Sequence, residues 1–175
     1  MRQIQILLFI MTTTVSAFAQ TGKASTIKKT FSRQTSVSVR IAADREVIWA
    51  LLTNADDFPR WNSTILKMEG DIAQGEKISL VSTLDITRTF KLKVKKLAPE
   101  TEMVWTDGAA PFFKGLRTYP LTANPDGSST FSMSEKIGGL MFPMAAKHIP
   151  DFDASFEKFA ADLKQEAEII QHSNQ

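Results

Sequence analysis

The chain has 175 residues, 43% of them apolar and 23% charged, with a formal net charge of +2 and no cysteine. That length holds one ordinary domain with a sizeable core. The near-balanced charge gives little pull toward nucleic acid or an anionic membrane, and the lack of cysteine excludes thiol catalysis, iron–sulfur clusters and cysteine zinc sites.

Arg2, an apolar run from Ile4 to Phe9 continued by Ile10, Met11 and Val15, and then Ala17-Phe18-Ala19 read as a signal peptide. Residues 1–19 are therefore expected to be removed by a cut after Ala19, and the protein to be periplasmic or secreted. The run is short for a membrane span, which takes about 20 residues, so no stable membrane insertion is expected after cleavage. Residues 20–29 are small and polar and read as a flexible lead. Residues 30–171 read as the folded domain.

Val37, Val39 and Ile41 alternate with Ser36, Ser38 and Arg40, the period of a half-buried strand. Asp44 stands where an N-cap belongs, and Val47, Ile48, Leu51 and Leu52 then follow helical spacing. Phe58-Pro59-Arg60-Trp61-Asn62 makes a tight connector, because Pro59 removes a donor and pushes Phe58 away from the helical region. Strands follow at Ile65–Gly70, around Ile78 and Leu80, at Phe90, Leu92 and Val94, at Met103-Val104-Trp105, at Leu116–Thr122, and at Phe131, Met133 and Glu135. Pro99-Glu100-Thr101-Glu102 and Asn124-Pro125-Asp126-Gly127 are turns. Pro120 hints at an edge or a bulge in its strand. Lys91, Lys93, Lys95 and Lys96 read as the solvated side of a sheet.

At the C-terminus Phe152, Phe156, Phe159, Leu163, Ala167 and Ile170 form one apolar stripe of helical spacing. Pro150 fits the first helical position, with Asp151 and Asp153 in the first turn. The order is α+β: a strand, two short helices, about six further antiparallel strands, and a long terminal helix. One helix against a curved sheet leaves a space between them unless bulky side chains fill it, and that space is the natural pocket.

The stretch Ile41-Ala42-Ala43-Asp44-Arg45-Glu46-Val47-Ile48-Trp49-Ala50-Leu51-Leu52-Thr53 opens a wider pattern. Phe58–Asn62, Glu69-Gly70, Gly75-Glu76, Leu97-Ala98-Pro99 and Val104-Trp105 continue it. Asp126-Gly127 with Thr130-Phe131 and Glu135, then the Phe152/Phe156/Phe159/Leu163 helix, close it. In order and spacing, from about Thr35 to Glu168, this resembles the SRPBCC superfamily, also called START-like or helix-grip, in its polyketide cyclase/dehydrase and lipid-transport branch. The resemblance implies a curved antiparallel sheet of about seven strands around the terminal helix. It also implies a cavity for hydrophobic ligands such as lipids, sterols or polyketides. It does not fix an activity. Related sequences often carry a polar residue such as His two places after the Gly before the fifth of these strands; here Arg117 follows Gly115.

The residues expected to line the cavity are Trp61, Leu80, Phe90, Leu92, Trp105, Arg117, Tyr119, Met133, Glu135, Phe142, Phe152 and Phe156. If Leu116 and Thr118 face out, Arg117, Tyr119 and Leu121 face in. An inward Arg117 needs an acid, and Glu135 on the last strand is the obvious partner. Together they can orient a ligand carboxylate or carbonyl. His148 reads as a surface or capping residue near the mouth and His172 as solvated. Two separated histidines give no metal cluster, so no metal and no cofactor are expected. Phe112, Phe113, Met141, Phe142 and Met144 flank the expected entrance and read chiefly as core, or as a lid.

The leading functional expectation is a non-catalytic carrier or sensor of a hydrophobic small molecule or lipid. The alternative is a cyclase/dehydrase-like or hydrolase-like enzyme using Glu135, Arg117 or His148. A third is an interaction protein whose pocket is filled by its own side chains. A dry cavity of about 300 Å³ or more favours the carrier, and a packed interior the third. The sequence does not set the oligomeric state.

Overall fold

The computed structural model describes residues 22–174. The expected signal peptide lies outside them. The elements are β1 (Ser25–Lys29), β2 (Ser32–Ile41), α1 (Arg45–Thr53), a 3-10 turn at Ala55–Asp57, α2 (Phe58–Trp61), β3 (Ile65–Glu69), β4 (Lys77–Ser82) and β5 (Asp85–Ala98). Then come β6 (Glu102–Ala109), β7 (Phe113–Ala123), β8 (Ser129–Gly138), α3 (Phe142–Ala145), a 3-10 turn at Ala146–His148, and α4 (Asp153–Ser173). The strands form one eight-stranded sheet in the order β1-β2-β8-β7-β6-β5-β4-β3, antiparallel throughout.

Alternation does what it should in the central strands. Val37 and Val39 of β2 stand opposite Met133 and Phe131 of β8, all nearly fully buried. Register shifts at Ile65/Lys67, Val81/Ser82 and Val94/Lys96 put bulges into the β3–β6 half, where they bend and twist the sheet. The concave side receives α4, whose Phe156, Phe159, Ala160, Leu163 and Ala167 are buried. Helices α1 and α2 close one flank with Ile48, Leu51, Leu52, Phe58 and Trp61.

Five local readings differ from the structure. Pro59 does not push Phe58 out of the helical region: Phe58 has φ −51° and ψ −47° and opens α2, with Pro59 in the first turn where no donor is needed. The lead over residues 20–29 is not wholly without structure: Ser25–Lys29 pairs along β2 as an edge strand. Its polar residues gave no period because it exposes nearly everything, and it is fixed instead by Thr26 Oγ1, which meets Thr35 Oγ1 at 2.7 Å and donates to Asp153. It makes the sheet eight strands rather than seven and places the two short helices after the second strand. Asp44 holds the N-cap place of α1, but its side chain does not cap. Its Oδ2 accepts from Gln171 Nε2 at 3.2 Å, and its N–H donates to Gln171 Oε1 at 3.1 Å, tying the end of α4 to the start of α1.

Pro150 precedes α4 rather than opening it. Arg33 donates to the carbonyls of Ile149 and Pro150, which holds the chain outside the helix. Asp151 Oδ1 then accepts the Asp153 N–H at 2.9 Å and starts the first turn. Pro120 marks neither edge nor bulge, since β7 runs between β6 and β8. Its missing donor falls in the gap of the β8 ladder between Thr118↔Ser134 and Leu121↔Phe131.

Candidate functional site

Between the concave sheet and α4 lies a cavity of about 160 Å³. It is a largely apolar space with charged groups on the sheet wall and at the mouth. Leu80, Phe90, Leu92, Trp105, Met133, Phe152 and Phe156 give the apolar wall, and Arg117 and Glu135 lie within it, all as placed by the sequence. Three expected residues lie elsewhere. Trp61 packs into the core against Phe58 at 4.8 Å and Phe159 at 5.7 Å between ring centroids. Tyr119 is fully buried between Trp105 and Phe131. Phe142 is buried at the start of α3, off the cavity. Each shares strand parity or sequence proximity with true lining residues, but the layer of rings beneath the cavity takes it first.

Arg117 and Glu135 are register partners across β7 and β8 and form an ion pair, with Nε and Nη2 of the guanidinium both donating to Oε2. Their side chains are 18% and 13% exposed, which places the pair in a poorly screened environment. The guanidinium also stands 5.4 Å over the Phe156 ring. Burial works against its charge, but the Glu135 carboxylate more than offsets that, so Arg117 stays protonated. Burial likewise pushes the Tyr119 hydroxyl up, with Arg117 only partly opposing. Among the described residues no atom completes full hydrogen-bond geometry with that hydroxyl, nor with Trp105 Nε1 on the cavity wall.

Asp107 is the residue that sequence reasoning missed. It lines the cavity two residues after Trp105 on β6, and so shares its inward parity; that spacing was the available signal. Gly115 is what lets it in. A Cβ at Gly115 would collide with Asp107 Oδ1 and sit 3.6 Å from Glu135 Oε1, so the absent side chain leaves room for two carboxylates to converge over Gly115.

The mouth is defined by a surface cleft that shares Leu84, Asp85, His148, Ile149 and Pro150 with the cavity. It lies between the β4–β5 turn and the segment before α4. Arg88, also absent from the sequence reading, lies 4.6 Å over the Phe90 ring there. β5 begins at Asp85, earlier than its apolar alternation at Phe90 announced. Of the residues expected at the entrance, Phe113 lines the cavity, but Phe112, Met141 and Met144 are exposed, against their reading as core. Among the described residues no group of His, Asp and Glu is placed to hold a metal ion, and no helix is long and apolar enough to cross a membrane.

The family described as polyketide cyclase / dehydrase and lipid transport matches residues 32–168. No curated protein matches the chain in sequence. Solved structures share its fold. A START superfamily protein from Mycobacterium smegmatis aligns with TM-score 0.58 at 17% identity, over 78% of this chain and 98% of that one. A conserved protein of unknown function from Enterococcus faecalis aligns with TM-score 0.60 at 15% identity, over 87% and 80%. A Rhodobacter sphaeroides protein aligns with TM-score 0.58 at 15% identity, over 87% and 100%.

Proposed function

The chain belongs to the polyketide cyclase / dehydrase and lipid transport family, and from that premise we propose that it is an exported carrier or sensor of one hydrophobic small molecule or lipid, held between the sheet and α4 by its polar end. The observation that carries this reading is the cavity itself. Its wall is largely apolar, with the ion pair and Asp107 on the sheet side and a second polar set, Asp85, Arg88 and His148, toward the mouth. Such a division between an apolar body and a few convergent polar groups is what an amphiphilic ligand needs.

The volume limits the ligand. About 160 Å³ is below the 300 Å³ or so of common ligand pockets, yet near the roughly 150 Å³ that admits a benzene-sized guest. The part of the ligand enclosed is therefore about one ring or a short chain segment, with the remainder lying toward the mouth at His148–Pro150. The interior is neither the roomy carrier pocket nor the filled core anticipated from the sequence.

The polar end selects among head groups. Arg117 is already neutralised by Glu135, and Asp107 adds a second carboxylate. A ligand carboxylate would meet net negative charge, whereas a hydroxyl can donate to Asp107 and accept from the spare donors of Arg117 or Trp105. A neutral alcohol or carbonyl is thus the preferred head group, in place of the acid that an isolated Arg117 would favour. Binding titrations with matched medium-chain alcohols and acids at neutral pH test this. The alcohols should bind about tenfold more tightly, and Asp107→Asn should shrink that difference. Acids binding as tightly as alcohols, with no response to Asp107→Asn, would overturn it.

A second reading rests on the same two carboxylates. Asp107 and Glu135 converge in a poorly hydrated pocket, an arrangement suited to proton transfer on a bound carbonyl compound. Recovery of a chemically altered ligand after incubation, lost in Glu135→Gln while binding persists, would replace the carrier with that enzyme.

A further inference from the structure

We propose that the mouth end of the protein is a docking surface for an anionic lipid bilayer, with a cluster of exposed apolar side chains inserting among the headgroups inside a cationic rim. This goes beyond the ligand reading and does not depend on the cavity being occupied.

The topology gathers four segments at one end of the sheet: the β1–β2 turn, the β4–β5 turn, the β6–β7 turn, and the chain from Gly139 to Pro150. Each brings large apolar side chains into solvent. They are Phe31, Ile86, Phe112, Leu140, Met141 and Met144, exposed from 48% at Met141 to 71% at Met144. Scattered exposed apolar residues need no explanation, but a contiguous group does.

Backbone bonds make this group contiguous. Gly139 N–H donates to Phe31 O at 3.0 Å, Leu140 N–H to Pro111 O at 2.9 Å, and Met141 N–H to Phe112 O at 2.9 Å. Gly139 has φ 135°, and a Cβ there would strike the Phe112 carbonyl, so the glycine allows the two turns to lie against each other. Met144 follows Met141 by three residues on α3 and lies on the same side. Ile86 joins from across the mouth, where it lines the cleft with Lys147 and Pro150.

Charge identifies the partner. Lys28, Lys29, Arg88, Lys114, Lys136 and Lys147 lie on the turns and strand ends that carry the apolar tips, against Asp85, Asp107, Glu135, Asp151 and Asp153, of which Glu135 is paired with Arg117. The turns at the opposite end carry Asp44, Asp71, Glu76, Glu100 and Asp126, with Arg40, Arg45, Lys77, Lys95 and Lys96 on the adjoining element ends, whereas the turns at the mouth carry Lys147 and no acid. In a nearly neutral chain the turns at the far end are therefore acidic, and those at the apolar end are not. An anionic surface orients such a molecule mouth first. Apolar tips with a cationic rim are the composition that holds a protein on a bilayer interface without spanning it.

Flotation of the purified protein, in the form its host processes, with ligand-free vesicles tests the surface. Vesicles of phosphatidylcholine alone are compared with vesicles containing about one third phosphatidylglycerol. The protein should bind the anionic vesicles about tenfold or more above the neutral ones, and raised salt should remove the difference. Leu140→Asp/Met144→Asp should reduce binding by at least about tenfold without changing the melting temperature, since both residues are exposed. Lys28→Glu/Lys147→Glu should abolish the anionic preference. Ile169→Asp, an exposed residue on α4 far from the mouth, should bind like wild type. No binding, equal binding to both vesicle types, or an unaffected Leu140→Asp/Met144→Asp variant would overturn the proposal. So would a dimer in sedimentation that this variant converts to monomer, because the patch would then belong to a second copy. None of these outcomes bears on alcohol binding in the cavity, so the two readings fail separately.

Discussion

Replacing Phe159 by alanine should destabilise the fold by roughly 3–5 kcal/mol, the largest single loss expected from any residue of α4. Phe159 is 3% exposed and is the ring at which the layers meet. Its centroid lies 6.2 Å from Phe58 and 5.7 Å from Trp61 on the α2 side, and 6.1 Å from both Tyr119 of β7 and Phe131 of β8. Truncation removes the contact between the helix and three other elements at once. Phe159 also lines the existing cavity, so the new void merges with an open one and the surroundings gain little by collapsing into it. Urea titration of wild type and Phe159→Ala measures the loss. In thermal melts it should appear as a drop of roughly 10 °C for a domain of this size. A change below about 1 kcal/mol would mean that α4 is not the clamp on the sheet.

The helix was legible in the sequence because its stripe has a strong period and faces a single layer. Phe156, Phe159 and Leu163 need only 3.6-residue geometry to share a face. The strands holding Val37, Phe131 and Met133 were legible for the same reason at period two. Arg117 and Glu135 could be paired in advance because an inward charge requires an opposite one and only one strand neighbour offered it. What the period does not encode was missed. β1 exposes almost all of its residues and is fixed by Thr26 bonding to Thr35 and Asp153, partners distant in sequence. Trp61 and Tyr119 have the right parity or chemistry for the cavity, but how deep a ring sits depends on Phe159 above it, which no local pattern states. Asp107 was hidden because admission of its carboxylate depends on the missing side chain of Gly115 on the adjacent strand. The exposed Phe112, Met141 and Met144 read as core because hydrophobicity alone carries no information about which turn has something above it.

Arg117→Met should cost roughly 3–5 kcal/mol, and Glu135→Gln distinctly less. Removing the guanidinium leaves Glu135, whose side chain is 13% exposed, as a buried carboxylate with no cation and with Asp107 converging on the same point above Gly115. Desolvation and like-charge repulsion then act together. Removing the Glu135 charge instead leaves Asp107 lining the same cavity beside Gly115, and its carboxylate is the acid expected to turn toward the guanidinium. The asymmetry follows from the second carboxylate and would be absent from an isolated pair. The double variant Arg117→Met/Glu135→Leu should recover most of the loss of Arg117→Met, because an apolar replacement of both partners leaves no uncompensated charge. Denaturant titration of wild type, Arg117→Met, Glu135→Leu and the double variant gives the coupling energy directly, and Glu135→Gln is measured beside them. Single losses that simply add in the double variant would mean that the two side chains do not act on each other. Equal losses for Arg117→Met and Glu135→Gln would mean that Asp107 lies too far from the guanidinium to take the place of Glu135, and the preference for a neutral head group would fall with it.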